Sequence, residues 1–253
     1  MEQTATPPTR RLSVRWAEWE AEADAITALR RRAFGDTAGA PDRFDPACDH
    51  LLVEDVATGG LACAARVRLH RSAADLADSY TGQFYDLAPL ASSRLPALEL
   101  GRLCSPDGPQ TASAGLMLVL AALARRAEAE AVRILFGCAS FPGVDPARWA
   151  DAARLLVEEA LGPAGDRPRP KAAEVLRPTA EGPFPPDRRR RALRDRPPLL
   201  RGYLSMGGWV GDHLVVDRAF GTCHVFTALP VEAVTEARRR RLALVLGLAQ
   251  EVV

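Results

Sequence analysis

The apolar positions follow two different periods along the chain. Over "WAEWEAEADAITALRRRAF", Trp19, Ile26, Leu29 and Ala33 recur at helical spacing with charges opposite, which predicts an amphipathic helix. "GDTAGAPDRFDPACD" breaks that period with Gly, Pro and Asp and reads as a loop. "HLLVEDVATGGLACAARVRL" gives two apolar runs about a Thr58-Gly59-Gly60 turn, a predicted pair of strands. "DSYTGQFYDLAPLA" is a short helix or loop, and "ALELGRLCS" is the third strand. "TASAGLMLVLAALARRAEAEA" predicts a strong helix and "VRILFGCASF" the next strand. "DPARWADAARLLVEEAL" is a helix with a proline in its first turn. Residues 162–198 form a polar stretch rich in Pro and Arg, expected to be an insertion. "LLRGYLSMGGWVGDHLVVDRAFGTCHVFTAL" supplies strand-like pieces, and a C-terminal amphipathic helix is expected over about 231–253. Residues 1–12 read as a disordered lead-in, which leaves one domain over 13–253. No internal repeat is visible. Interleaved helices and strands of this order predict a mixed α/β (α+β) domain around one sheet.

One predicted strand breaks its own pattern. In "LELGRLCSPDG", an acid and a base, Glu99 and Arg102, interrupt an apolar run that stops at a Pro-Asp-Gly turn. Alternation puts Leu98, Leu100 and Arg102 on one face, and Glu99, Gly101 and Leu103 on the other. The two charges therefore point apart, unless a bulge at Gly101 re-aims one of them. A structural ion pair and a functional acid are both open readings at this point.

Composition narrows the class. With 47% hydrophobic and 26% charged residues over 253 positions, the chain can bury a large core as an ordinary globular protein. The net charge of +1 argues for no particular partner, but the positive charge is almost all guanidinium, because Lys171 is the only lysine. Five scattered cysteines make no C-x-x-C pair, and the four histidines lie outside metal-ligand spacing, so no metal site is expected. An odd cysteine count without a framework fits a reducing, cytoplasmic setting. The opening residues carry no apolar run of the signal-peptide kind, and "GLMLVLAALA" is too short to span a bilayer. The runs Arg188–Arg191 and Arg238–Arg241 have no aromatic interleaving or DNA-reading motif, which argues against nucleic acid.

The segments "RFDPACDHLLVED", "QFYDLAPL", "LELGRLC", "LFGCASFPGVDP", "LLRGYLSMGGWVGD" and "VVDRAFGTCHVF" occur in this order. Together, from about residue 12 to residue 227, they resemble the bacterial ornithine-lipid N-acyltransferases, which lie within the GNAT acetyltransferase fold. Glu99-Leu100-Gly101-Arg102 and Asp42-Arg43-Phe44-Asp45 resemble, more distantly, motifs of acyl-homoserine-lactone synthases. The resemblance implies a GNAT-like acyltransferase fold, a central mixed sheet splayed between two strands and flanked by helices. It implies transfer of a 3-hydroxyacyl chain from acyl carrier protein to the α-amine of ornithine, giving lyso-ornithine lipid. Acylation of another amine, and a non-catalytic carrier-protein- or membrane-binding module, are the competing readings.

The same resemblance assigns roles. Glu99 is the candidate general base and Arg102 the anchor of a neighbouring or substrate carboxylate. Asp42, Asp45 and Asp49, with Arg66, Phe84 and Asp212, would bind the amino acid; turn and capping use is the alternative for the aspartates. The acyl-pantetheine arm would lie along Cys104, Gly137, Cys138, Ala139, Ser140 and Phe141, between the strands Leu98–Cys104 and Ile134–Ser140. Gln110, Ser113 and Gly115 make a partial phosphate-binding loop at a helix start, with Ser113 as a plain N-cap the alternative. Cys138 as a nucleophile is set against a buried, inert strand cysteine. Arg188, Arg189, Arg190 and Arg191 would meet acidic carrier protein or an anionic membrane surface, on the cytoplasmic side of the inner membrane, or simply face water. No cofactor is expected to be held permanently; the acyl-phosphopantetheine of the carrier protein is the donor.

Overall fold

The computed structural model describes residues 11–251 except 107, 180 and 181. The chain runs β1 (Leu12–Glu18), α1 (Trp19–Phe34), β2 (Asp49–Asp55), β3 (Leu61–His70), α2 (Ala73–Ala77), β4 (Tyr85–Asp86), α3 (Ala88–Ser93), β5 (Ala97–Cys104) and α4 (Pro109–Ala129). It continues β6 (Ile134–Pro142), α5 (Ala150–Ala160), β7 (Arg169–Pro170), β8 (Val175–Leu176), α6 (Pro186–Arg194), α7 (Pro198–Ser205), β9 (Trp209–Asp217), β10 (Thr222–Pro230), α8 (Glu236–Leu248) and β11 (Gln250–Glu251). Nine strands form one mixed sheet in the order β11-β1-β2-β3-β5-β6-β10-β9-β8, and β4 pairs with β7 separately.

Alternation sorts the core into two layers. Leu51, Val53, Cys63, Ala65, Leu98, Leu100 and Leu135 face α4 and α8, and Ala139 and Phe141 on the same side of β6 pack with α5. The opposite face carries Leu52 and Ala64 against Ile26 and Leu29 of α1. Further along that face, Phe136 and Phe226 pack with Tyr85 and Leu90.

The sheet is continuous at one end and open at the other. β5 and β6 run parallel and pair only at Ala97↔Ile134, Leu98↔Leu135 and Glu99↔Phe136. Past Glu99, β5 pairs only with β3, and β6 only with β10. Gly137 sits at the fork, where a Cβ would stand 2.3 Å from Leu100 O, so only glycine allows this approach. The expected splay between two strands is present.

Several sequence expectations give way. The helix expected from Trp16 begins at Trp19, because Leu12, Val14 and Trp16 alternate as the β1 face towards α4. The lead-in expected over 1–12 lies outside the described residues as far as residue 10, and Leu12 already opens β1. The stretch 162–198 holds β7, β8 and α6, with β8 closing the sheet edge beside β9. Leu199–Ser205, expected as strand, is the helix α7; prolines at 197 and 198 set its start, and Leu200 and Tyr203 are buried. The C-terminal helix spans only Glu236–Leu248, and the chain then returns as β11 along β1.

Candidate active site

The fork opens into a small pocket on the face opposite α4, lined by β3, β5, β6 and the segment after α2. Glu99 and Arg102 both line it. Gly101 pairs with Arg66 but Cys104 with Ala64, so β5 carries one extra residue against β3. Arg102 takes φ 53°, a conformation costly for a side chain other than glycine. This bulge cancels the alternation that would have sent Arg102 to the far face.

Glu99 is buried at 6% exposure. Its Oε1 accepts the Thr81 N–H at 2.7 Å, and its Oε2 lies 3.6 Å from His70 Nε2. Burial alone would raise its pKa; the interaction with His70 and the Thr81 hydrogen bonds outweigh it and hold the carboxyl below its ordinary range. Thr81 Oγ1 is 3.7 Å from Cys138 Sγ. Burial pushes the Cys138 thiol well up, and the Cys48 thiol on the same pocket up to about 12, so neither is a ready nucleophile.

Beside Glu99 stands an ion cluster. Asp45, fully buried, accepts Arg30 Nη1 at 2.9 Å, Arg66 Nη1 at 3.0 Å and the Asp42 N–H at 2.9 Å. Asp42 receives Arg66 Nη1 on Oδ1 and Arg102 Nη2 on Oδ2, each at 2.6 Å. Burial opposes its charge, but Arg66 and Arg102 hold its pKa below the ordinary value. Arg102 also donates to Ala38 O and lies 4.7 Å from the Phe220 ring centroid. Arg66 packs on the Tyr80 ring, whose hydroxyl donates to Asp217 Oδ2 at 2.8 Å. Three guanidinium groups thus meet two carboxylates, leaving one positive charge in excess at the pocket wall.

The other sequence candidates separate. Asp45 has no face open to a ligand, so it holds the loop to α1 and β3. Asp49 points to the α4 face and pairs with Arg126 at 2.6 Å, across the sheet from Asp42, because β2 alternates. Phe84 lies behind Tyr80, edge-on to it and to His224. Asp212 sits in a separate crevice with Arg167, Arg169 and Arg177, bonded to His213 Nδ1 at 2.6 Å. Cys104 packs in the α1 core, and Ala139 and Phe141 in the α5 core, while Cys138 and Ser140 reach the pocket.

At the start of α4, Gly108 precedes Pro109, and the Ala112 N–H already bonds Gly108 O. Ser113 therefore lies inside the helix, exposed, and is not its N-cap. Gln110 is in the first turn, with its side chain outside the described set. Gly115 lets α4 approach β3; a Cβ there would meet Cys63 Cβ at 2.9 Å. Arg188 and Arg189 pair with Asp151 and Glu159 of α5, which ties α6 to the fold, while Arg190 pairs with Asp187 of its own helix and Arg190 and Arg191 stay exposed.

Sequence reasoning passed over His70, Tyr80, Thr81 and Phe220. His70 had a signal: Arg66, Arg68 and His70 alternate along β3, a basic stripe on one face, with Arg68 directly opposite Glu99. Lys171 was also unassigned; its Nζ donates to Gly82 O at 2.6 Å, bracing the loop that carries Thr81.

A sheet forked between parallel β5 and β6, with helices on both faces, is the architecture of the GNAT fold. Residues 27–118 match the family described as Acetyltransferase (GNAT) domain. A solved GNAT-like decarboxylase, GphF in complex with isobutyryl-CoA, aligns over 86% of this chain and 98% of its own at 17% identity, with a TM-score of 0.50, a likeness of fold. The L-ornithine N(alpha)-acyltransferase of Rhodobacter capsulatus is 35% identical over 204 residues, 78% of this chain and 77% of the relative. The protein of that name from Brucella abortus is 33% identical over 250 residues, 88% and 86% of the two chains. The chain belongs to the L-ornithine N(alpha)-acyltransferase family, and it is an acyltransferase.

Proposed function

We propose that this chain transfers a 3-hydroxyacyl group from acyl carrier protein to the α-amine of ornithine, with lyso-ornithine lipid as the product. One observation carries the reading: the β5 bulge turns Glu99 and Arg102 to the same pocket at the fork. An α-amino acid presents an ammonium and a carboxylate a few ångströms apart, and the pocket offers an ionised carboxylate and a wall with one excess guanidinium charge. Arg102, already fixed by Asp42, orients the substrate carboxylate. Glu99 takes the proton that the ammonium must lose before its nitrogen can attack.

The step is direct. The free amine adds to the thioester carbonyl, the C–N bond forms, the C–S bond breaks, and the pantetheine thiolate is reprotonated as the thiol. The high thiol pKa values of Cys48 and Cys138 argue against an acyl-enzyme. Ser113, where a pyrophosphate-binding loop would carry a glycine, favours a carrier-protein donor over a diphosphate-bearing coenzyme.

The test is an assay with purified protein, ornithine and matched 3-hydroxyacyl thioesters of carrier protein and coenzyme A, read by mass spectrometry. N-acylated ornithine formed mainly from carrier protein is expected. Product from neither donor, or equal kcat/KM for both, would refute the acceptor or the donor assignment respectively.

A further inference from the structure

The surface of α8 is built differently from every other helix described. Its inner face buries Leu242 and Leu246 against α4. Its outer face carries Arg240, Arg241, Leu244 and Leu248 within two turns, at spacings that align on one stripe. Leu244 is 69% and Leu248 88% exposed, far above the other large exposed apolar residues of the described chain. The first half of the helix is four arginines in a row against a single carboxylate, Glu236, for a helix charge of +3. Glu236 is shared between Arg239 at 3.4 Å and Arg240 at 3.1 Å, both on the surface.

On the inner side of the helix, away from this stripe, α4 and α8 diverge into a groove of about 900 Å³. Leu120, Leu135, Val231 and Leu242 wall it, and Arg239 stands at its edge. It shares no residue with the pocket at the fork. Two exposed leucines flanked by Arg240 and Arg241 on one side of a helix match a bilayer interface: leucines reach the acyl boundary while guanidinium groups meet phosphates. The other arginine run, on α6, lacks this combination, because Arg188 and Arg189 are engaged with α5 and no large apolar residue stands exposed beside them.

We propose that the outer face of α8 docks on an anionic lipid bilayer. Charge complementarity selects that occupant over a neutral surface, and the two leucines select it over an acidic soluble protein. The proposal goes beyond the acyl-transfer reading and does not depend on it, since binding is measured without substrate.

The test uses the full chain and flotation with vesicles of phosphatidylcholine alone or mixed with phosphatidylglycerol. Binding to the mixed vesicles, falling with salt, and at least tenfold weaker binding to phosphatidylcholine are expected. Leu244→Ser with Leu248→Ser, and separately Arg240→Gln with Arg241→Gln, should each weaken binding tenfold or more, with the melting temperature and turnover of soluble substrates unchanged. Replacing Arg188–Arg191 by Gln should change binding less than twofold. Equal affinity for the two vesicle types, parental binding by the leucine variant, or loss confined to the α6 variant would each overturn the proposal. Absence of vesicle binding by the full chain would overturn it as well.

Discussion

His70 Nε2 lies 3.6 Å from Glu99 Oε2, while His70 Nδ1 is 3.2 Å from Asp75 O and 3.5 Å from Asp75 Oδ1. The imidazole is fully buried and bridges the pocket acid to the surface helix α2. His70 is thus a positioning residue for Glu99, and its interaction is one of the influences that hold the carboxyl below its ordinary range. With His70→Gln, burial acts on Glu99 less opposed, and its pKa rises. The acid limb of the kcat/KM profile should move to higher pH, with kcat down roughly tenfold or more and KM for ornithine little changed. A pH profile with an unmoved acid limb would exclude this role.

Glu99→Gln keeps the shape and the acceptor for the Thr81 N–H but removes the basicity. Turnover should drop by roughly two to four powers of ten, the usual span for a positioned base. Single-turnover measurement with carrier-protein thioester and ornithine checks this, and near-normal transfer by the folded variant would remove Glu99 from the chemistry.

The fork itself can be tested through Gly137. A methyl group there would stand 2.3 Å from Leu100 O on the facing strand, a backbone atom that cannot swing aside. Gly137→Ala should cost about 2 kcal/mol or more, the scale of overpacking in a tight core. For a domain of this size that lowers the melting temperature by roughly 4–8 °C. Calorimetry reads it directly; an unchanged melting temperature would mean that β5 and β6 move apart freely.

Stability should also depend on pH through His224. Its ring lies in a closed aromatic nest with Tyr85 and Phe84, and burial drives its pKa from 6.5 down to about 4. The unfolded chain then binds more protons between those values. The stabilising contribution is complete above pH 6.5 and is lost as pH falls towards 4. Between pH 7 and pH 5 this one group should remove about 2 kcal/mol, at ~1.4 kcal/mol per unit. Urea unfolding at the two pH values, compared with His224→Gln, isolates it; equal slopes for the two proteins would count against the burial account.

The elements that packing decides locally were legible. Apolar runs about the Thr58-Gly59-Gly60 turn marked β2 and β3, the apolar run of "VRILFGCASF" marked β6, and helical spacing marked α4 and α5. What escaped was set by contacts distant in sequence. The bulge at Arg102 depends on β3 register, so the strand alone left the direction of Arg102 open. Asp42, Asp45 and Asp49 look equivalent in one loop, yet two guanidinium groups seal Asp45, and β2 carries Asp49 across the sheet. Arg188–Arg191 reads as an open basic patch until the carboxylates of α5 are placed opposite. The same logic hid α7, which reads as a strand-like piece until the burial of Leu200 shows that a helix covers the β9–β10 layer.

Lys171 has a consequence of its own. In the proposed reaction an acyl thioester lies beside an amine-binding pocket, so any nearby ε-amine would be open to acylation by mistake. Guanidinium groups, protonated at all working pH values, are inert to thioesters. With arginine nearly everywhere that lysine would serve, the chain offers a single ε-amine to such damage, and that one donates its hydrogen bond to Gly82 O. Acylation there would break the brace of the loop whose Thr81 N–H holds Glu99. In that reaction the modification state of one side chain would record how often the donor misfires.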